Sequence, residues 1–176
     1  IIFYVLTITR ASGEEKSSWE PVFNVEENSY SYTPSGIPRV IVQSFRGRKL
    51  PSQLHVAVNS WKENNPDYNY RYFDDEECRS FISKHFENKV LEAFDTIEAG
   101  AFKADLFRYC YLYKEGGVWA DVASVCAQPL DDTLGDFDCV LVKEVQEGMI
   151  YNSFIAISPQ HPLMKIAIDK SVYNIL

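Results

Sequence analysis

Apolar positions in this chain recur with two periods, one near two residues and one near three and a half, and the two alternate along it. Ile37, Val40, Ile41 and Val42 make a short β-branched run that predicts a strand over 37–42. Pro51 stands where a helix can begin, and Leu54, Ala57, Val58 and Trp61 follow at helical spacing until Asn64-Asn65-Pro66. Tyr68, Tyr70 and Tyr72 alternate with Asn69 and Arg71, which predicts a second strand. Helical spacing returns in Cys78, Phe81, Ile82 and Phe86, and again in Val90, Leu91, Phe94 and Ile97. A longer helix is expected from Phe102 to Lys114, closed by Gly116-Gly117, since glycine is favoured just past a helix end. Residues 118–122, 137–145 and 150–157 read as strands. His161-Pro162 opens a last helix with Leu163, Ile166, Ala167 and Lys170 at helical spacing.

Strands alternating with helices predict an α/β fold on a mostly parallel, mixed sheet flanked by helices. Residues 1–36 read as a lead-in: an apolar run from Ile1 to Ile8, then a loop-rich stretch of Glu, Ser, Asn, Gly and Pro. The apolar run is far shorter than the roughly 20 residues of a bilayer span, and it reads as a strand or the remnant of a signal-anchor. The main domain is expected over 37–176.

The chain has 176 residues, 46% of them hydrophobic and 24% charged, enough for one domain with a substantial core. Its net charge of -8 argues against non-specific nucleic-acid binding, which needs a basic face. A phosphorylated small ligand stays open, because it needs only local positive charge and backbone N–H groups. Cys78, Cys110, Cys126 and Cys139 contain no C-x-x-C pair, so they read as core thiols, with disulfides as the alternative. Asp74-Asp75-Glu76-Glu77 puts four carboxylates in a row. An Asp N-cap with acidic first-turn residues explains them better than a metal site does, with one Asp left to face a ligand as the alternative.

Asp105 and Arg108 lie three residues apart on a helix that is apolar nearly all round. Charges inside such a helix need partners, either a ligand or another charge. Asp121 follows the Gly116-Gly117 stop at the end of an apolar strand, and ligands of open α/β sheets bind beyond the carboxyl ends of strands. Asp105, Arg108 and Asp121 are therefore the candidate ligand-facing cluster. Neither G-x-G-x-x-G nor a P-loop is present.

These residues stand within a longer resemblance. Ile37-Pro38-Arg39-Val40-Ile41-Val42-Gln43-Ser44-Phe45, Tyr70-Arg71-Tyr72-Phe73-Asp74-Asp75, Lys103-Ala104-Asp105-Leu106-Phe107-Arg108-Tyr109, Gly116-Gly117-Val118-Trp119-Ala120-Asp121 and Gln128-Pro129-Leu130-Asp131 occur in order. Together they resemble the glycosyltransferases whose sugar-binding region contains a DXD motif, family 32 in the usual grouping. That family includes yeast Golgi mannosyltransferases and is distantly similar to the glucosylating clostridial toxins.

The resemblance implies a GT-A fold, a Rossmann-like sheet that binds a nucleotide-sugar donor, UDP- or GDP-linked. It implies transfer to a glycan or other hydroxyl acceptor with retention at the anomeric carbon, and no protein nucleophile. It also implies that the loop of Val42, Gln43, Ser44 and Phe45 touches base and ribose, and that Asp105 and Arg108 bind the donor sugar. Asp121 would be the first Asp of the motif, facing ribose, sugar or a metal-bound water, with Mn²⁺ or Mg²⁺ bridging the diphosphate. The family points to the Golgi lumen, a membrane anchor outside this stretch, and further loops beyond Leu176. The absence of any Asn-x-Ser/Thr acceptor leans instead to the cytosol.

The departure is Ala123, where the second Asp should stand. A methyl group cannot ligate a hard cation. Three readings follow: metal held by Asp121, the diphosphate and a later residue such as Asn152 or His161; a metal-independent site with basic residues facing the diphosphate; or a binding module without transfer.

Overall fold

The structure is a computed structural model that describes residues 6–7, 19–24, 31–146 and 148–176. Most of the expected lead-in, including 1–5, 8–18 and 25–30, lies outside the described residues. Two short strands of it are described: β1 (Leu6–Thr7) and β2 (Trp19–Pro21). The main domain then runs β3 (Val40–Ser44), β4 (Lys49–Pro51), α1 (Ser52–Asn64), β5 (Asn69–Phe73), α2 (Asp75–His85), α3 (Asn88–Thr96) and α4 (Gly100–Glu115). It closes with β6 (Gly117–Ala120), β7 (Ser124–Val125), α5 (Asp131–Leu134), β8 (Cys139–Lys143), β9 (Ile150–Ile157) and α6 (Pro162–Ile175).

The main sheet has the order β5-β3-β6-β9-β8. β5, β3 and β6 run parallel; β9 and β8 are antiparallel additions beyond β6. β3 and β6 are thus flanked by strands on both sides and covered on both faces, which explains their unbroken apolar runs. β1 pairs with β7 and β2 with β4 as small separate ribbons.

Alternate residues of the strands feed two cores. Val40, Val42, Trp119, Ile155 and Ile157 face the layer of α2, α3, α4 and α6. Ile41, Val118, Ala120, Phe154 and Ala156 face Val58 and Trp61 of α1, together with the tyrosines of β5. Tyr68, Tyr70 and Tyr72 are all buried on that second face, as the period-two spacing predicts. Each such side chain contributes roughly 1.5–3 kcal/mol when fully buried. The four cysteines are free thiols.

Local chemistry sets the element ends. Asp74 accepts from the Glu77 N–H at 2.9 Å, and Glu77 Oε2 accepts from the Asp74 N–H at 3.0 Å, a complete capping box for α2. Gly116 ends α4 at φ 69°, where a Cβ would lie 2.7 Å from Pro159 N. Gly117 has φ 103°, and a Cβ there would meet Val40 O at 2.8 Å, so only glycine lets β6 approach β3 at this point.

Two expectations shift. The first main strand begins at Val40 rather than Ile37 and continues to Ser44, so Gln43 and Ser44 are strand residues and only Phe45 lies in the loop. The last helix buries Met164, Ile168 and Val172, not the face of Ile166 and Lys170. The i, i+4, i+8 stripe is the one that meets the core of α4, leaving Ile166 63% exposed.

Candidate functional site

β6 stops at Ala120, and the chain turns immediately. The Asp121 carbonyl accepts from the Ser124 N–H at 2.8 Å, closing a tight turn over Asp121-Val122-Ala123-Ser124. That turn is held from several directions. Ser124 Oγ donates to the same carbonyl at 2.5 Å, and Gln43 Nε2 donates to it at 3.2 Å. Gln43 is fully buried, and its Oε1 accepts from the Tyr70 hydroxyl at 2.6 Å. Trp61 Nε1 donates to Ser124 O at 2.8 Å from the other core.

The Asp121 side chain projects toward α4. Its Oδ1 accepts from Arg108 NH2 at 2.8 Å and from Trp119 Nε1 at 2.8 Å. Arg108 also sets NH1 2.9 Å from Asp105 Oδ1, one turn back on its own helix. The guanidinium lies 5.0 Å from the Trp119 ring centroid. Arg108 is 2% exposed, while the carboxylates it joins are 33% exposed for Asp105 and 39% for Asp121. The cation is therefore the buried member and the two acids form the solvent-facing edge. Arg108 Nε and NH1 have no aligned hydrogen-bond acceptor; the NH1 contact with Asp105 is an ion pair by distance alone. Asn152 Nδ2 donates to Asp105 Oδ1 at 3.2 Å. Burial raises the Asp105 pKa, Arg108 pulls it back and Asp121 pushes it up further, leaving it above its ordinary value.

These groups border a cavity of about 480 Å³ at the carboxyl ends of β3 and β6, within the range of roughly 300–1,000 Å³ usual for small-molecule sites. It is lined by Ser44, Phe45 and Arg46 at the end of β3 and by Gly100, Ala101, Ala104, Asp105 and Arg108 of α4. Trp119, Asp121, Val122 and Ala123 at the end of β6 and Asp75 at the start of α2 complete the lining.

The sequence-derived candidates are partly brought together here. Asp105, Arg108, Asp121, Ser44 and Phe45 share the cavity, with Asn152 bonded behind Asp105. Val42 packs in the core and Gln43 is spent on Tyr70 and the Asp121 carbonyl, so neither lines it. His161 caps α6 beside Pro159, which packs at the start of β6, so it stands at the other end of that strand from Asp121. The sequence reading missed Trp119, Gln43 as a support, Arg46 and the start of α4. Only Trp119 was discoverable locally, because it stands two residues before Asp121, next to the end of β6.

A divalent cation is implied by the family pattern, but the side chains do not fit one. Asp121 Oδ1 is occupied by two donors, Ala123 offers no oxygen, and among the described residues no group of three His, Cys, Asp or Glu is arranged to hold a metal.

The sequence profile described as "Glycosyltransferase sugar-binding region containing DXD motif" matches residues 51–141, just over half of the chain. The chain belongs to this glycosyltransferase family. Among curated members, an inositol phosphoceramide mannosyltransferase 2 of Schizosaccharomyces pombe is 30% identical over 138 residues, covering 78% of this chain and 39% of that protein. An initiation-specific alpha-1,6-mannosyltransferase of Candida albicans is 29% identical over 117 residues, covering 65% of this chain and 30% of that one. The chain thus spans only about a third of these family members. A solved structure of PaToxG glycosyltransferase superposes with a TM-score of 0.60 over 90% of this chain and 62% of its own, at 17% identity. That likeness carries the fold, a GT-A-like mixed sheet flanked by helices.

Proposed function

We propose that this family member binds a nucleotide sugar, UDP- or GDP-linked, in the cavity that Arg46 and Asp121 line, and transfers its hexose to a hydroxyl acceptor with retention. The observation that carries the reading is the Asp105–Arg108–Asp121 cluster: two half-exposed carboxylates oriented by one buried guanidinium at the carboxyl ends of parallel strands. Carboxylates fixed in this way accept hydrogen bonds from vicinal sugar hydroxyls. Their orientation is set before the ligand arrives, so little entropy is lost on binding. In the transfer, the anomeric carbon–phosphate oxygen bond breaks and the acceptor oxygen takes its place, the acceptor proton passing to the departing diphosphate. No side chain of this cluster is assigned as nucleophile. The mannosyltransferase names of its relatives make mannose the first sugar to try.

A second reading, binding without transfer, is favoured by Ala123, whose methyl occupies the position of the motif's second carboxylate. The two separate in one experiment. Under the first, GDP-mannose or another hexose donor raises the melting temperature and free nucleoside diphosphate is released when an acceptor is supplied. Under the second, the stabilisation appears without release. Asp121→Ala removes the stabilisation in both cases, and no shift with any nucleotide sugar overturns both.

A further inference from the structure

Three carboxylates line the cavity, and two of them share a partner: Asp105 and Asp121 both meet Arg108. Asp75 stands apart. In its acidic run, Asp74 and Glu77 close the capping box of α2 with each other, and both contact Arg48. Asp75 is half-buried, lines the cavity and carries no hydrogen bond or ion pair among the described residues. The cap thus accounts for its neighbours and leaves both oxygens of Asp75 open to a ligand. Its position is set by the sheet. β3 and β5 run parallel with Ser44 opposite Phe73, and the Phe45 N–H donates to the Phe73 carbonyl at 3.1 Å. The ladder therefore brings the start of α2 beside Phe45 and Arg46, which line the same cavity. β3 lies between β5 and β6, so this corner is two strand spacings, roughly 10 Å, from the strand end that carries Asp121.

The corner combines a half-buried aromatic ring, a guanidinium 5.6 Å from its centroid and an unpaired carboxylate. Rings and guanidinium planes stack on flat heterocycles, and the carboxylate adds an edge that only accepts. Resting on the donor reading above, we propose that Asp75 selects the base of the nucleotide, taking guanine and rejecting uracil. An ionised carboxylate accepts through two oxygens. Guanine presents two adjacent donors on one edge, N1–H and the N2 amino group, so both oxygens are satisfied. Uracil presents a single N3–H between two carbonyls, so a carboxylate oxygen is set against a carbonyl oxygen. Adenine and cytosine each place one donor beside an acceptor on that edge. A site built to hydrogen-bond its ligand discriminates strongly, because the wrong ligand leaves polar groups unpaired.

The test is calorimetric titration of the 176-residue chain with GDP and with UDP, in EDTA and again with Mn²⁺. GDP is expected to bind at least about tenfold more tightly than UDP. Asp75→Asn exchanges one acceptor for a donor, which suits the N3–H and neighbouring carbonyl of uracil better than the paired donors of guanine. It is expected to weaken GDP about tenfold and to leave UDP equal or tighter, so that the preference disappears. The Asp74–Glu77 cap is untouched, so α2 keeps its start. An equal loss for both nucleotides would place Asp75 on the ribose hydroxyls, and an equal gain would make it only a charge that repels phosphate. Either result, an unchanged ratio, or a wild type that does not prefer GDP overturns base selection and leaves the donor reading standing. No binding by either nucleotide under either condition removes both.

Discussion

Arg108 is the least exposed charge in the molecule's cavity and has two acids to orient. Removing a cation from such a group leaves carboxylates facing each other, so Arg108→Ala is expected to cost about 3–5 kcal/mol in urea denaturation, near the upper end for single substitutions. Asp105 gives the site a pH signature of a definite sign. Its folded pKa is raised, chiefly by burial, so the folded state holds its proton more tightly than the unfolded chain does. Its stabilising contribution is complete below the unfolded value of 3.8 and is lost as pH rises through the folded pKa. Stability measured from acid toward neutral pH should therefore fall in wild type relative to Asp105→Asn, and a parallel pair of curves would contradict this. Ala123 lines the same cavity. Ala123→Asp restores an oxygen donor two residues after Asp121, and Mn²⁺ is expected to raise the melting temperature of that variant but not of wild type.

At the scale of elements, the capping box of α2 is the clearest link from sequence to stability. Asp74→Ala removes its side-chain acceptor and is expected to cost about 1 kcal/mol, read as a lower urea midpoint with an unchanged slope. Gly117→Ala is the harsher change, because φ 103° and the Val40 carbonyl both oppose a Cβ; a loss of about 2 kcal/mol or more is expected from the same measurement. Both features were legible in the sequence because they are local: an Asp-led acidic run before an apolar face, and a Gly-Gly stop. The helices and most strands were legible for the same reason. The pairing of β9 against β6 and β8 was not, since antiparallel order at a sheet edge depends on contacts far apart in sequence. The site divided along the same line. Asp105, Arg108 and Asp121 stood out as charges in apolar surroundings, whereas the Tyr70–Gln43–Asp121 chain joins residues 27 and 78 positions apart and has no local pattern.

For the molecule as a whole, the turn that carries Asp121 is tied to both faces of the sheet. Trp119 belongs to the core under α4 and bonds the Asp121 carboxylate; Trp61 belongs to the core under α1 and bonds the Ser124 carbonyl. β3, β6 and β9 lend alternate residues to both cores, so neither can melt while the other keeps its sheet wall. The two cores should then unfold as one cooperative unit, and a ligand on the turn should stabilise both together. Fluorescence of Trp119→Phe reports the α1 face through Trp61, and that of Trp61→Phe reports the α4 face through Trp119, while Trp19 is 44% exposed and contributes a common background. In each variant the fluorescence midpoint in urea is expected to coincide with its own circular-dichroism midpoint. Bound nucleotide should raise the two by equal amounts. Separate midpoints, or a shift confined to one face, would mean that the sheet does not couple its layers and that the turn is anchored from one side only.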